Sequence, residues 1–367
     1  MVSALLREWR GAVELHVTVD GELVRALAYP ELTGRPEPGD RVLLNTSALA
    51  LGLGTGGYAL VVAVPDRLPA DPSGPGHLVK ARYTPLQATV LGADEQGSPY
   101  HDTLREADDL GGMPVVVADL HSALPAVLAA LFAGRSAGGG APVRAVYVML
   151  DGGALPAWFS RTAAALREAG WLAATVTVGQ AFGGDLEAVT VHTGLLAARH
   201  VLGADVAVVA QGPGNLGTGT RWGFSGVAAG EAVNAAAVLG GRPVASLRVS
   251  AADPRERHRG VSHHSLTSYG RVALARADVV VPDLPGEFGA SVAAQAAPLA
   301  ARHHLVRVSI DGLEDTLRAC PVRLCTMGRG LDEDLAYFLA AAAAGRHAAE
   351  MLRSGLASPG TASAGSC

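Results

Sequence analysis

The chain has 367 residues, a formal charge of −5, 49% apolar side chains and only 5% aromatic ones. Val, Leu and Ala can therefore fill a large core, in one big domain or two smaller ones. The acidic balance excludes a general polyanion binder, which needs a basic stripe, so broad nucleic-acid binding is not expected.

The N-terminal MVSALLREWRG lacks the apolar stretch of a signal peptide. No later apolar run reaches the roughly 18 residues of a membrane span. A soluble, cytoplasmic protein is expected. Residues 12–64 read as β-structure. AVELHVTVDGELVRALAYP alternates apolar and polar positions around Asp20–Gly21, a hairpin signal. Short apolar runs between turn residues follow, so residues 1–65 are assigned to a small β-barrel-like module of about five strands. The proline-rich segment 66–83 is a linker or crossing strand, and it carries Lys80, the one lysine of the chain, and Arg82. If GHLVKARYTPL is a strand, these two cations share a face. They are candidate ligand-binding residues; pairing with surface acids is the plain alternative.

From residue 84 to 353 the pattern changes to alternating strand-length apolar runs and longer Ala/Leu stretches. That predicts βα units: a mostly parallel, Rossmann-like sheet with helices on both faces. The expected strands are 114–120, 143–150, 173–179, 205–211, 243–250, 278–283 and 305–310. The expected helices are 122–134, 156–169, 186–201, 226–239, 264–276, 287–301 and 331–353. Cys320 and Cys325 are too widely spaced for a zinc knuckle and are read as small buried thiols. The tail 354–367, SGLASPGTASAGSC, is expected to be disordered.

Ligands of open parallel sheets bind outside the carboxyl ends of the strands. The polar residues found there include Asp119 and His121, Asp151, Gln180 with Asp185, Gln211, Asp283 and Asp311. Helix capping explains any single Asp among them; their recurrence at one sheet edge suggests more. His121, Gln180 and Asp185 are therefore taken as ligand-binding candidates.

DVAVVAQGPGNLGTGTRWGFSG runs from a strand into a glycine-rich loop. Gly212, Gly214 and Gly217 fit G-x-G-x-x-G, but no acid follows at the distance a ribose hydroxyl needs, and no Gly-Lys-Ser/Thr makes it a P-loop. Exposed backbone N–H groups, with Asn215, Thr218 and Thr220, could still hold an anion. A long structural crossover loop is the alternative. Glu231 and Asn234 lie one turn apart on the following helix and join the ligand-binding candidates, a solvated face being the bland explanation.

DPRERHRGVSHHS, residues 253–265, gathers Arg255, Arg257 and Arg259 with His258, His263 and His264. The arginines can grip a phosphate or carboxylate. Ser262 reads as a helix N-cap, which puts His263 and His264 in a first turn where imidazole tends to stay neutral. The three histidines are the candidate general acid or base, oriented by Asp151 or Asp253. A surface salt-bridge cluster is the alternative for the arginines. A divalent metal on Asp253, His258 and His263 is a third reading; the spacing fits no compact zinc motif and the arginines oppose a dication. No metal ligand is assigned and no cofactor is identified.

The runs GPGNLGTGT, GFSG and GEAVNAAAVLGGRPVASLRVSAADPRERHRGVSHHS resemble a bacterial family of domains of unknown function, number 3866, over nearly the whole chain except the tail. The resemblance implies a bacterial cytoplasmic protein and weight on these two loops; no activity comes with it. The residues themselves point to a hydrolase or transferase acting on a phosphorylated or nucleotide-like small molecule bound between the glycine loop and the Arg/His loop. The alternative is a non-catalytic nucleotide- or anion-sensing protein whose N-terminal barrel engages a partner. A homo-oligomer with the histidine loop at its interface is a third reading.

Overall fold

Asp20 and Gly21 both take left-handed backbone angles, φ +50° and +86°, as a tight hairpin turn demands. They close an antiparallel ladder within an N-terminal sheet seen in a computed structural model that describes residues 1–70, 74–136 and 143–356. The strands are β1 (Val2–Trp9), β2 (Ala12–Val19), β3 (Glu22–Ala28), β4 (Leu43–Asn45) and β5 (Ala59–Ala63), in the order β1-β2-β3-β5-β4. Every second residue of β2 (Val13, Leu15 and Val17) packs with Val2, Ala26, Ala28, Ala59 and Val61. The order leaves β1 and β4 as edges, and no closed barrel forms among the described residues.

A short hairpin of β6 (Leu78–Lys80) and β7 (Ala88–Val90) follows. The α/β pattern then yields an eight-stranded parallel sheet. Its members are β8 (Pro114–Val117), β9 (Ala145–Leu150), β10 (Ala174–Thr177), β11 (Leu186–Glu187), β12 (Val206–Gln211) and β13 (Arg242–Ser246). After a two-stranded antiparallel pair, β14 (Val249–Ser250) and β15 (Gly260–Val261), come β16 (Asp278–Asp283) and β17 (His304–Ser309). The order is β11-β10-β9-β12-β8-β13-β16-β17, and helices flank the sheet. Near-continuous Val and Ala in β8, β12 and β16 fit strands covered on both faces.

The chain forms two compact units. One comprises Met1–Ala107, Tyr147–Leu202 and Gln211–Ser225; the other comprises Asp108–Val146, Gly203–Ala210 and the chain from Gly226 onward. In the second unit the helices Leu124–Ser136 and Leu335–Leu356 pack closely. Gly345 permits it: a Cβ there would sit 2.1 Å from the Val127 carbonyl oxygen. Among the described residues no helix is long and apolar enough to cross a membrane.

Several expected boundaries move for physical reasons. Residues 186–187 are strand β11, because the helix that follows, Val191–Leu196, is capped by Thr190, whose hydroxyl accepts from Thr193 N at 3.2 Å. The expected strand 243–250 breaks after Ser246, since Arg248 turns inward and its N–H donates to Ser265 Oγ at 2.9 Å. The helix expected over 264–276 begins at His263 and ends by Val272. The Asn234 carboxamide accepts from Leu274 N and Ala275 N there, at 2.7 and 3.0 Å. The thiols are not both buried: Cys320 is partly covered and Cys325 is exposed, because Cys325 lies on a surface hairpin, β18 (Cys325–Thr326) with β19 (Arg329–Gly330). The tail from 357 onward and residues 71–73 of the linker lie outside the described residues.

Candidate functional site

The second unit concentrates its polar chemistry beyond the carboxyl ends of the neighbouring strands β8 and β13. Asp119 follows β8 and Arg248 follows β13. Fully buried Tyr269 holds the adjoining helix to both strand ends, its hydroxyl facing Val117 O at 2.9 Å and Ser246 O at 3.2 Å. The Arg/His loop leaves β14 and returns through β15. Gly260, at φ +68°, makes that return; a Cβ there would strike Gln295 Oε1 at 2.3 Å, the atom that accepts from Val261 N.

Ser262 is the N-cap that its position suggests, accepting from His264 N at 3.2 Å. Its hydroxyl also lies 2.7 Å from His258 Nδ1, which ties the loop to the helix. The rings of His258, His263 and His264 gather with centroids 4.5–5.0 Å apart. One nitrogen from each lies within 4.8 Å of the others. His258 and His264 are buried, and His263 is partly exposed. Burial first, and then the charges of Arg248 and Arg255, lower the His258 pKa to about 3. Burial, His264 and the charge of Arg257 lower that of His263 to about 4. Both rings are therefore neutral at physiological pH, the state in which imidazole can accept a proton or ligate a metal.

Three carboxylates and three guanidiniums form a linked network at the loop. Asp253 receives Arg255 through two side-chain bonds of 2.9 and 2.8 Å, with Arg248 at 3.6 Å and Arg329 at 3.4 Å. Burial alone would raise the Asp253 carboxyl; the hydrogen bonds and charge of Arg255 hold it well below the usual range. Asp334 accepts from Arg329 Nε at 3.0 Å and from Ser250 Oγ at 2.6 Å. Asp119 Oδ2 lies 3.4 Å from His264 Nδ1 and 4.0 Å from Arg248 Nη1. Arg257 and Arg259 extend from the same loop and are exposed. The salt-bridge explanation thus holds for Arg255 and leaves the other two pointing to solvent.

Other candidates lie elsewhere in the second unit. His121, in the short turn after β8, is buried, and burial lowers its pKa to about 4. Glu231 is exposed. Asn234 also donates to Val272 O at 3.2 Å, so its carboxamide secures a helix end.

The first unit holds the remaining candidates. Lys80 is buried, and its ammonium donates to the carbonyls of Ala181 and Ala188 at 3.0 and 2.9 Å, with Glu187 Oε2 3.5 Å away. Burial pulls the lysine pKa down and pushes that of Glu187 up. Arg82 is exposed. The strand ends at Lys80, and Ala81 takes a left-handed φ of +45°, which breaks the alternation. Asp151 accepts from Gln180 N at 2.8 Å, and Gln180 Oε1 accepts from Arg82 N at 3.2 Å. These groups and His77 line a cavity of about 590 Å³. Asp185 bonds Arg10, Arg167 and Thr175 N, a structural tie between segments.

The glycine loop is exposed and folds on itself. Gly212 is packed so that a Cβ would meet Ala154 O at 2.5 Å, while Gly214 takes φ +90°. Asn215 Oδ1 accepts from Gln211 Nε2 at 2.8 Å and from Ser225 Oγ at 3.2 Å. Gly217 bridges to Phe224. Thr218 and Thr220 join hydroxyls at 3.2 Å, and Thr220 Oγ1 accepts from Gly223 N. The two threonine side chains thus serve the loop itself.

Sequence reasoning missed Arg248, Arg329 and Asp334 as parts of the charged cluster, and it noted Asp119 without giving it a role. Arg248 was hidden inside an apparent strand. Arg329 and Asp334 arrive through a turn at Met327 and Gly328, both at positive φ, about 70 residues from the loop they serve.

Fold and site together define an α/β protein with a parallel sheet and a buried Asp/Arg/His cluster at its strand ends. The chain belongs to the family described as protein of unknown function (DUF3866), whose model matches residues 25–345. No curated protein and no solved structure matches it.

Proposed function

We propose that this chain is an enzyme, a hydrolase or group transferase, that acts on a phosphorylated or nucleotide-like small molecule at the Arg/His loop of its second unit. The observation that carries this reading is the gathering of three imidazoles within 4.8 Å, beside a loop that presents Arg257 and Arg259 to solvent. Permanent cations draw an anion, and a neutral imidazole can take the proton of its attacking nucleophile. In the hydrolytic case, water oxygen forms the new bond to phosphorus and the ester P–O bond breaks. One water proton ends on the leaving oxygen. His258 is held by Ser262 and His264 lies against Arg248 and Asp119, whereas His263 is the ring nearest solvent. Cytoplasmic residence is part of the same proposal.

A thermal-shift screen of phosphate-bearing metabolites, followed by product analysis of each stabilising compound, tests it. Consumption of a compound by the wild type, lost in His263→Ala with binding retained, is the expected result. A compound that stabilises the chain and is never consumed would make this a sensor of anions instead.

A further inference from the structure

The three imidazoles have a geometry that proton transfer alone does not require. We infer that His258, His263 and His264 together hold one zinc ion, with its fourth position open to water or to a substrate oxygen. This deepens the reading of the loop as a reactive centre and names its cofactor.

Three observations carry it. The first is convergence. Zinc–nitrogen bonds of about 2.1 Å place tetrahedral nitrogens about 3.4 Å apart, and the three candidate nitrogens already lie within 4.8 Å. The ring planes meet at 45°, 89° and 66°, so the three rings gather without stacking on one another. Three protein ligands and one open position is the pattern of catalytic zinc.

The second is the outer layer. Metal-bound histidines hold their other ring nitrogen against a carboxylate, hydroxyl or carbonyl. His258 Nδ1 has Ser262 Oγ at 2.7 Å, and His264 Nδ1 has Asp119 Oδ2 at 3.4 Å. With Nδ1 so engaged, Nε2 is the nitrogen that ligates. Arg248 Nη1, 3.3 Å from the same His264 Nδ1, competes for that position. Zinc on Nε2 selects the tautomer that donates to Asp119.

The third is charge. Arginines beside a dication are unfavourable when uncompensated. Here Arg248, Arg255 and Arg329 are each met by Asp119, Asp253 or Asp334, and the remaining nearby cation, Arg257, is exposed and screened by solvent.

The test measures metal before activity. The full chain is stripped with a chelator, reloaded with zinc, dialysed and assayed for metal content, and cobalt is added in parallel for its visible spectrum. The expected result is about one zinc per chain and the intense absorption of tetrahedral cobalt. His263→Ala, the most solvent-accessible change, loses the metal while keeping its circular dichroism spectrum. Asp119→Asn keeps the ligands and weakens zinc affinity about 10- to 100-fold. Failure of the stripped wild type to take up zinc, or wild-type zinc affinity in His263→Ala, overturns the inference. Zinc uptake without turnover of any phosphorylated compound leaves the metal site standing and removes the catalytic reading. Turnover by a chain that takes up no zinc does the reverse.

Discussion

Replacing Arg248 by Met keeps the length of the side chain and removes its charge from a buried position. The side chain is 3% exposed, and its guanidinium lies 4.0 Å from Asp119 Oδ2 and 3.6 Å from Asp253 Oδ2. The two carboxylates are affected unequally. Asp253 retains the paired bonds from Arg255 and the approach of Arg329, so its charge stays compensated. Asp119 retains His264 at 3.4 Å, a weaker partner. Leaving one partner of a buried ion pair behind costs about 3–5 kcal/mol; with one of the two carboxylates still compensated, about 3 kcal/mol is expected. Urea unfolding of Arg248→Met measures it. The double variant Arg248→Met/Asp119→Asn, which also removes the Asp119 charge, should recover about half of the loss. A single variant within about 0.5 kcal/mol of wild type, or a double variant no more stable than the single one, would refute the argument that Arg248 compensates Asp119.

Lys80→Met should destabilise the first unit by about 3 kcal/mol, since it removes the cation beside buried Glu187 and the donor to two carbonyls; Lys80→Met/Glu187→Gln should be milder, as read by thermal unfolding. Gly260→Ala should cost more than about 1 kcal/mol, because φ is +68° and Gln295 occupies the space of the added methyl; chemical unfolding checks it. Asp278 supplies a pH test. Burial would raise its carboxyl, but hydrogen bonds from His347 at 2.8 Å and His304 at 3.1 Å outweigh that and lower it. Its contribution is therefore full above the unfolded carboxylate value of about 3.9 and is lost as pH falls through the lower folded value. The stability gap between wild type and Asp278→Asn should close as pH falls below about 4; a gap that persists in full at about pH 2 contradicts the assignment.

The alternation around Asp20–Gly21 and the spacing of apolar runs from residue 114 onward made both sheets legible, because side-chain period and turn chemistry are local properties. Ser262 was legible as a cap for the same reason. Strand closure was not: whether five short strands curl into a barrel depends on edge pairing between distant segments, and β1 and β4 remain edges. Of the candidate site, the histidines were visible by proximity in sequence, whereas the outer charges were not. Asp119, Arg329 and Asp334 join that loop only through tertiary pairing. Lys80 stood out by its rarity, but its partners did not: its ammonium meets two carbonyls and a buried carboxylate from a segment about 100 residues away.

The central claim is that the three-imidazole cluster is a reactive centre. Its most direct test is kcat/KM for wild type and His263→Ala on a phosphorylated compound that the chain consumes, with melting temperatures measured alongside. The account predicts a loss of at least about 100-fold with an unchanged melting temperature. Activity within about twofold of wild type in a folded His263→Ala protein would contradict it.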